Sequence, residues 1–219
     1  MEKELTFKGI PVIYDDTGEG TALVLLHGYL ESGPIWEEFA SRFRNRFRVI
    51  IPDLPGHGRS GVWGKVHSMD ELAGSVKAIL EREQVDRAFI AGHSMGGYVT
   101  MAFADLYPEH LLGYSLVHST CFSDNDEKKK NRDREISLIL CEKKHQIVNV
   151  NIPKGFATSN IPRFSAKIEQ AKNLAMACPD SGIVALLNGM KERPDRTHVL
   201  QDHRLLLLLI GGEKDNYIP

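Results

Sequence analysis

Five short, nearly continuous apolar runs constrain this chain most: 22–26 (ALVLL), 49–51 (VII), 88–91 (AFIA), 114–117 (YSLV) and 205–210 (LLLLLI). A strand with one face in water alternates apolar and polar residues, whereas a strand buried on both faces does not. The runs therefore predict strands of a parallel sheet covered by helices on both sides. Helical spacing lies between them: 34–43, with Pro34 near the first turn; 69–83, opened by Ser68 as N-cap with Glu71 three residues on; and 95–106, stopped before Pro108. Strand and helix alternate, so the fold class is α/β, a mostly parallel, doubly wound sheet with right-handed crossovers. The first 17 residues alternate instead and predict a hairpin, with strands at 5–7 and 12–15 turning at Lys8-Gly9.

Residues 119–204 interrupt the rhythm. They open on a solvated charge run, DNDEKKKNRDRE, and continue with helical stretches near 134–143, 163–177 and 181–191, which together predict a helical cap inserted between two sheet strands. Across 219 residues the net charge is −2, too weak a field for nucleic acid or anionic membranes, so no nucleic-acid or membrane partner is expected. The longest aliphatic run is far too short to span a bilayer, and the amino terminus lacks the apolar stretch of a signal peptide. Three scattered cysteines, Cys121, Cys141 and Cys178, suit reduced thiols and a cytoplasmic location.

The chemistry gathers at 91–97, AGHSMGG, where Gly92-His93-Ser94-Met95-Gly96 fits G-x-S-x-G between a buried strand and a helix. That turn lifts a serine hydroxyl to the end of the sheet as a nucleophile; the plainer alternative is a glycine-rich strand-to-helix turn with a capping serine. Acyl transfer also needs donors aimed at the developing oxyanion. One is the N–H of Met95, at the positive end of its helix. The other is the N–H of Tyr29, in the LLHGYLES loop at 25–32.

Four blocks, LLHGYLES, IPDLPGHGRS at 51–60, AGHSMGGYV and LIGGEKDNYIP at 209–219, stand in the order found in the α/β-hydrolase family, and the chain resembles its cap-bearing esterase, lactonase and haloperoxidase-like branch. The resemblance implies a core of 1–118 and 205–219 around a cap at 119–204. It implies Ser94 as nucleophile and Asp215 as the catalytic acid, with Asp53 bracing the PGHGRS loop. It also implies a histidine beyond the acid, yet all nine histidines precede Asp215. The expectation is a chain truncated before the last strand, helix and catalytic histidine, leaving the 205–210 strand as an apolar edge prone to self-association.

His118, after the 114–117 run, is the best substitute base, but the position better suits a pocket-lining histidine bonded to the cap, and it is assigned with Phe122 to the substrate pocket. Tyr29, Phe156, Phe164 and Met176 are further candidate lining residues. The elbow is expected to turn the His93 side chain away from the site. The implied function is hydrolysis of small carboxylic esters or lactones through an acyl-enzyme, with no metal or organic cofactor. The alternative is a non-catalytic module that binds a small ligand on the same fold.

Overall fold

The computed structural model describes residues 1–201 and 205–218; His203, the cap boundary expected at residue 204, and Pro219 lie outside the described residues. Seven strands form one sheet: β1 (Glu2–Phe7), β2 (Ile10–Thr17), β3 (Ala22–Leu26), β4 (Arg48–Pro52), β5 (Ala88–His93), β6 (Leu111–Val117) and β7 (Leu206–Ile210), in the order β1-β2-β4-β3-β5-β6-β7. The hairpin β1/β2 and the β2/β4 pair are antiparallel; the remaining pairs are parallel. Lys8 and Gly9 turn the hairpin with φ of 48° and 78°, as a tight two-residue turn requires.

Both faces of the inner strands are covered, which explains their unbroken apolar runs. Ile90 and Leu26 pack with α2 (Met69–Arg82) and α3 (Met95–Leu106) on one side, and Leu25, Val49, Ile51 and Ala91 pack with Trp36 and Ala40 on the other. Ser68 caps α2 in the expected reciprocal arrangement with Glu71. The helix expected at 34–43 is instead a 3₁₀ turn, Gly33–Trp36, followed by the single turn α1 (Glu37–Ala40). Phe39 meets Trp36 edge-on and Phe43 at a tilt, with ring centroids 5.6 Å and 4.6 Å away, and the buried Trp36 and Ala40 seat this segment on the sheet.

Between β6 and β7 lie α4 (Asp126–Leu140), α5 (Lys144–Lys154), α6 (Ser165–Ala177), α7 (Asp180–Glu192) and the short α8 (Thr197–Leu200). The charge run is the first half of α4, not a preface to it: Asn125 caps the helix by accepting the Lys128 N–H, and Asp126 and Glu127 face the positive end of its dipole. Helix α5 escapes sequence patterning because it buries only Ile147 and Val148, too few to draw a stripe. Helix α7 lies on the 55–68 loop, its Ala185 carbonyl accepting the His67 N–H at 2.9 Å.

Among the described residues β7 pairs only with β6, and Leu206 and Leu209 are 67% and 62% exposed, so the expected apolar edge is present. No helix among the described residues is long and apolar enough to cross a membrane.

Candidate active site

Ser94 stands between β5 and α3 with φ 48° and ψ −114°, a conformation that costs about 1–3 kcal/mol and persists only where its surroundings impose it. Its N–H is held by the Val117 carbonyl at 3.0 Å, and its carbonyl accepts the Gly97 N–H at 2.9 Å and the Ser119 hydroxyl at 2.7 Å. A Cβ on Gly96 would lie 2.4 Å from the Leu26 carbonyl oxygen, so the elbow closes against β3 only with glycine there. Met95 is the first residue of α3, and its N–H has no carbonyl available within the helix.

The facing loop is held peptide by peptide. The Gly28 N–H donates to Glu31 Oε2 at 2.5 Å, the Gly28 carbonyl accepts from His27 Nδ1 at 2.9 Å, and the Leu30 N–H donates to His57 Nε2 at 3.0 Å. Among the described residues no acceptor takes the intervening Tyr29 N–H. Its neighbours are fixed while it stays unspent, the state a preorganised oxyanion donor needs. His27 accepts the Leu54 N–H through Nε2, so both of its nitrogens are satisfied beneath the loop. Burial depresses the pKa of His27, and that of His57 more strongly, with the charges of His27 and His67 adding to the effect on His57. Asp53 takes the Gly33 N–H at 2.7 Å and both the main chain and Nε of Arg59, bracing the 53–60 loop as the resemblance implies.

On the other side of Ser94, Asp215 accepts the N–H groups of Tyr217 (2.8 Å) and Ile218 (2.9 Å) on Oδ1 and His118 Nδ1 on Oδ2 at 2.7 Å. Desolvation works against the Asp215 charge, but these N–H groups and His118 outweigh it and set its pKa below the ordinary value. His118 is turned by its own positive φ of 47°, with its N–H on the Ile210 carbonyl. The fold thus brings Asp215 and His118 together, beside the residues that anchor Ser94. No hydrogen bond joins the Ser94 hydroxyl to the His118 ring.

His93 turns toward the oxyanion loop: its Nδ1 donates to Glu31 Oε2 at 2.9 Å, and its ring lies 6.2 Å from that of His118. Glu31 was not singled out by the sequence; its only signal is a position three residues after Gly28 in a tight turn.

Helices α4 and α5 reach the 27–31 loop and the 215–217 turn through polar groups. Tyr29 Oη donates to Glu135 of α4 at 3.0 Å, Asn151 of α5 donates to the same carboxylate, and Tyr217 Oη donates to the Asn151 carbonyl. Phe122 is 59% exposed, with its carbonyl accepting from Arg193 Nε, and Met176 is 42% exposed. The buried Asp124, paired with Arg132 and Arg193, anchors the segment that carries Phe122. No group of three or more metal-ligating side chains occurs among the described residues.

The model of the alpha/beta hydrolase fold family matches residues 21–135. A pimeloyl-[acyl-carrier protein] methyl ester esterase of Yersinia enterocolitica is 38% identical over 210 residues, covering 92% of this chain and 78% of the relative. A dihydrolipoyllysine-residue acetyltransferase component of an acetoin cleaving system from Pseudomonas putida is 29% identical over 200 residues; the chain spans 53% of that relative's length. Among solved structures, a thermophilic esterase from Thermogutta terrifontis superposes with a TM-score of 0.94 at 29% identity, over 100% of this chain and 82% of that one. The sheet order, the strained serine before α3 and these likenesses agree: the chain belongs to the alpha/beta hydrolase fold family, and its relatives there include esterases.

Proposed function

We propose that this protein is a serine hydrolase of small carboxylic esters or lactones that works through an acyl-serine intermediate. The observation that carries the reading is Ser94, held in a strained turn at the α3 N-terminus, with the preceding His93 bonded to Glu31 of the loop that carries Tyr29. Ser94 Oγ attacks the carbonyl carbon as its proton passes to a histidine, and the N–H groups of Tyr29 and Met95 receive the oxyanion. The carbon–oxygen bond to the leaving alcohol then breaks and the alcohol departs with that proton; water attacks the acyl group by the same route and releases the acid. Each oxyanion donor is worth roughly 10²–10³ in rate in comparable enzymes.

Asp215 orients the base, and His118 is the histidine bonded to it, so His118 is the proton acceptor in this reading. The serine-to-base hydrogen bond forms with substrate bound, since such contacts are often long in empty sites. A cytoplasmic location goes with the reduced cysteines of this reading.

The missing bond between Ser94 Oγ and His118 favours a second reading, a module that binds a small ligand in the cleft without turnover. Hydrolysis of p-nitrophenyl acetate and butyrate by the wild type and by Ser94→Ala, His118→Ala and Asp215→Asn separates the two. The hydrolase reading expects Ser94→Ala to lose turnover about 10³-fold or more. Turnover that ignores Ser94, combined with a rise in Tm on adding small carboxylic acids, supports the binding module. Retention of Ser94-dependent turnover in His118→Ala would assign the base elsewhere and keep the hydrolase.

A further inference from the structure

The two donors proposed for the oxyanion sit on separate loops, Tyr29 after β3 and Met95 after β5, and their spacing must be held to a fraction of an ångström for both to meet one oxygen. Backbone packing of Gly96 against the Leu26 and His27 carbonyls seats the elbow at the start of the 27–31 loop, and the His27 and His57 bonds fix the far side of that loop. A side-chain pair ties the middle of the loop to the elbow. Glu31 Oε2 accepts both the Gly28 N–H, one residue before Tyr29, and Nδ1 of His93, one residue before Ser94. The contact is close enough that a Cβ on Gly28 would lie 2.7 Å from this oxygen and 3.1 Å from His93 Nδ1.

The geometry points to the Glu31–His93 pair as the pin that ties the oxyanion loop to the nucleophile turn and sets the distance between the Tyr29 and Met95 donors. The inference rests on the hydrolase reading above. Both are positioning residues: neither touches the substrate, and each acts through the peptide next to it. With side chains 20% and 29% exposed, the pair is shielded enough for its charge to matter beyond an ordinary surface contact.

The groups facing the pair are few. His93 is faced by Glu31, by the Asp215 charge and by the His118 ring; Glu31 is faced by His93 and His27, and its carbonyl by the Cys178 thiol of the cap at 3.9 Å. Desolvation works against both charges, yet the mutual attraction leaves the His93 pKa raised and the Glu31 pKa lowered. The pair is therefore complete below the ordinary histidine value and is undone as pH rises through the raised His93 value.

The test is kcat and KM for p-nitrophenyl butyrate across pH in the wild type, Glu31→Gln, His93→Gln and Ser94→Ala, with the His93 ring titrated by NMR in the wild type and Glu31→Gln. The expected result is a kcat about 10- to 100-fold lower in Glu31→Gln, KM within about threefold, and a milder loss in His93→Gln, which keeps a donor. The alkaline fall in wild-type kcat flattens in Glu31→Gln, and the His93 titration midpoint moves down. A kcat within twofold of wild type in both variants, or a loss confined to KM, overturns the pin. If Glu31→Gln does not fold, a wild-type His93 midpoint at or below the ordinary histidine value overturns it. If Ser94→Ala turns over as fast as the wild type, the hydrolase reading fails instead, and the titration alone judges the pair: a midpoint unmoved in Glu31→Gln dissolves it.

Discussion

The two halves of the candidate site are built from the same chemistry in different surroundings. The nucleophile and oxyanion half hangs on β3 and β5, central strands with neighbours on both sides, and its peptides are bonded one after another by His27, His57, Glu31 and Val117. The Asp215 half hangs on β6 and β7, and among the described residues β7 pairs only with β6 and leaves Leu206, Leu208, Leu209 and Ile210 exposed. Each half contains a histidine bonded through Nδ1 to a carboxylate, at 2.9 Å for His93–Glu31 and 2.7 Å for His118–Asp215. The central pair is partly buried at both ends, with His93 29% and Glu31 20% exposed, while in the outer pair the histidine is 40% exposed and the carboxylate 9%. Both halves hold a residue at positive φ, Ser94 at 48° and His118 at 47°, and it is the histidine of the outer half that lies more open to water.

The sharpest way to break the contrast is Gly96→Val. The new side chain collides with the Leu26 carbonyl in the rigid half, so turnover falls below detection and Tm drops by roughly 10 °C, as overpacking of about 3 kcal/mol produces in a chain of this size. Parallel ester assays and thermal denaturation check both effects. Asp215→Asn in the exposed half separates them: kcat falls by about 10³–10⁴-fold while Tm moves by no more than a few degrees, because an amide oxygen still accepts the Tyr217 and Ile218 N–H groups.

Acid sharpens the contrast next. His27 and His57 have pKa values depressed by burial, so the unfolded chain binds protons that the folded chain refuses. Their contribution is fully present above the unfolded value near 6.5 and is lost as pH falls toward the folded values, at most about 1.4 kcal/mol per pH unit for each ring. Asp215 has a lowered pKa, and its contribution is lost only below the ordinary aspartate range, near 4. Urea denaturation between pH 7 and 4.5 should show the first loss without the second; a flat profile rejects it.

The smallest effect belongs to the edge. Leu208→Lys on β7 should change stability by no more than about 0.5 kcal/mol, because Leu208 is already 49% exposed, while reducing any self-association through strand pairing. Sedimentation of wild type and variant at increasing concentration reads this directly, and a wild type that stays monomeric rejects edge pairing.

Much of this was legible in the residues. The unbroken runs at 22–26 and 88–91 read as two-sided burial, Ser68 with Glu71 read as a cap, and the glycines around Ser94 read as a turn too tight for side chains. Helix α5 was illegible because two buried residues make no stripe. Glu31 was invisible because a lone carboxylate in a turn looks solvated until its partner is known.

By itself, then, the sequence determined the local terms: strand, helix, hairpin and the strained serine, each set by periodicity, capping or sterics within a few residues. Only the tertiary structure decided which histidine meets which carboxylate. His118 and Asp215 lie 97 residues apart and His93 and Glu31 lie 62 apart, and such pairs form only when crossover connections bring strand ends side by side.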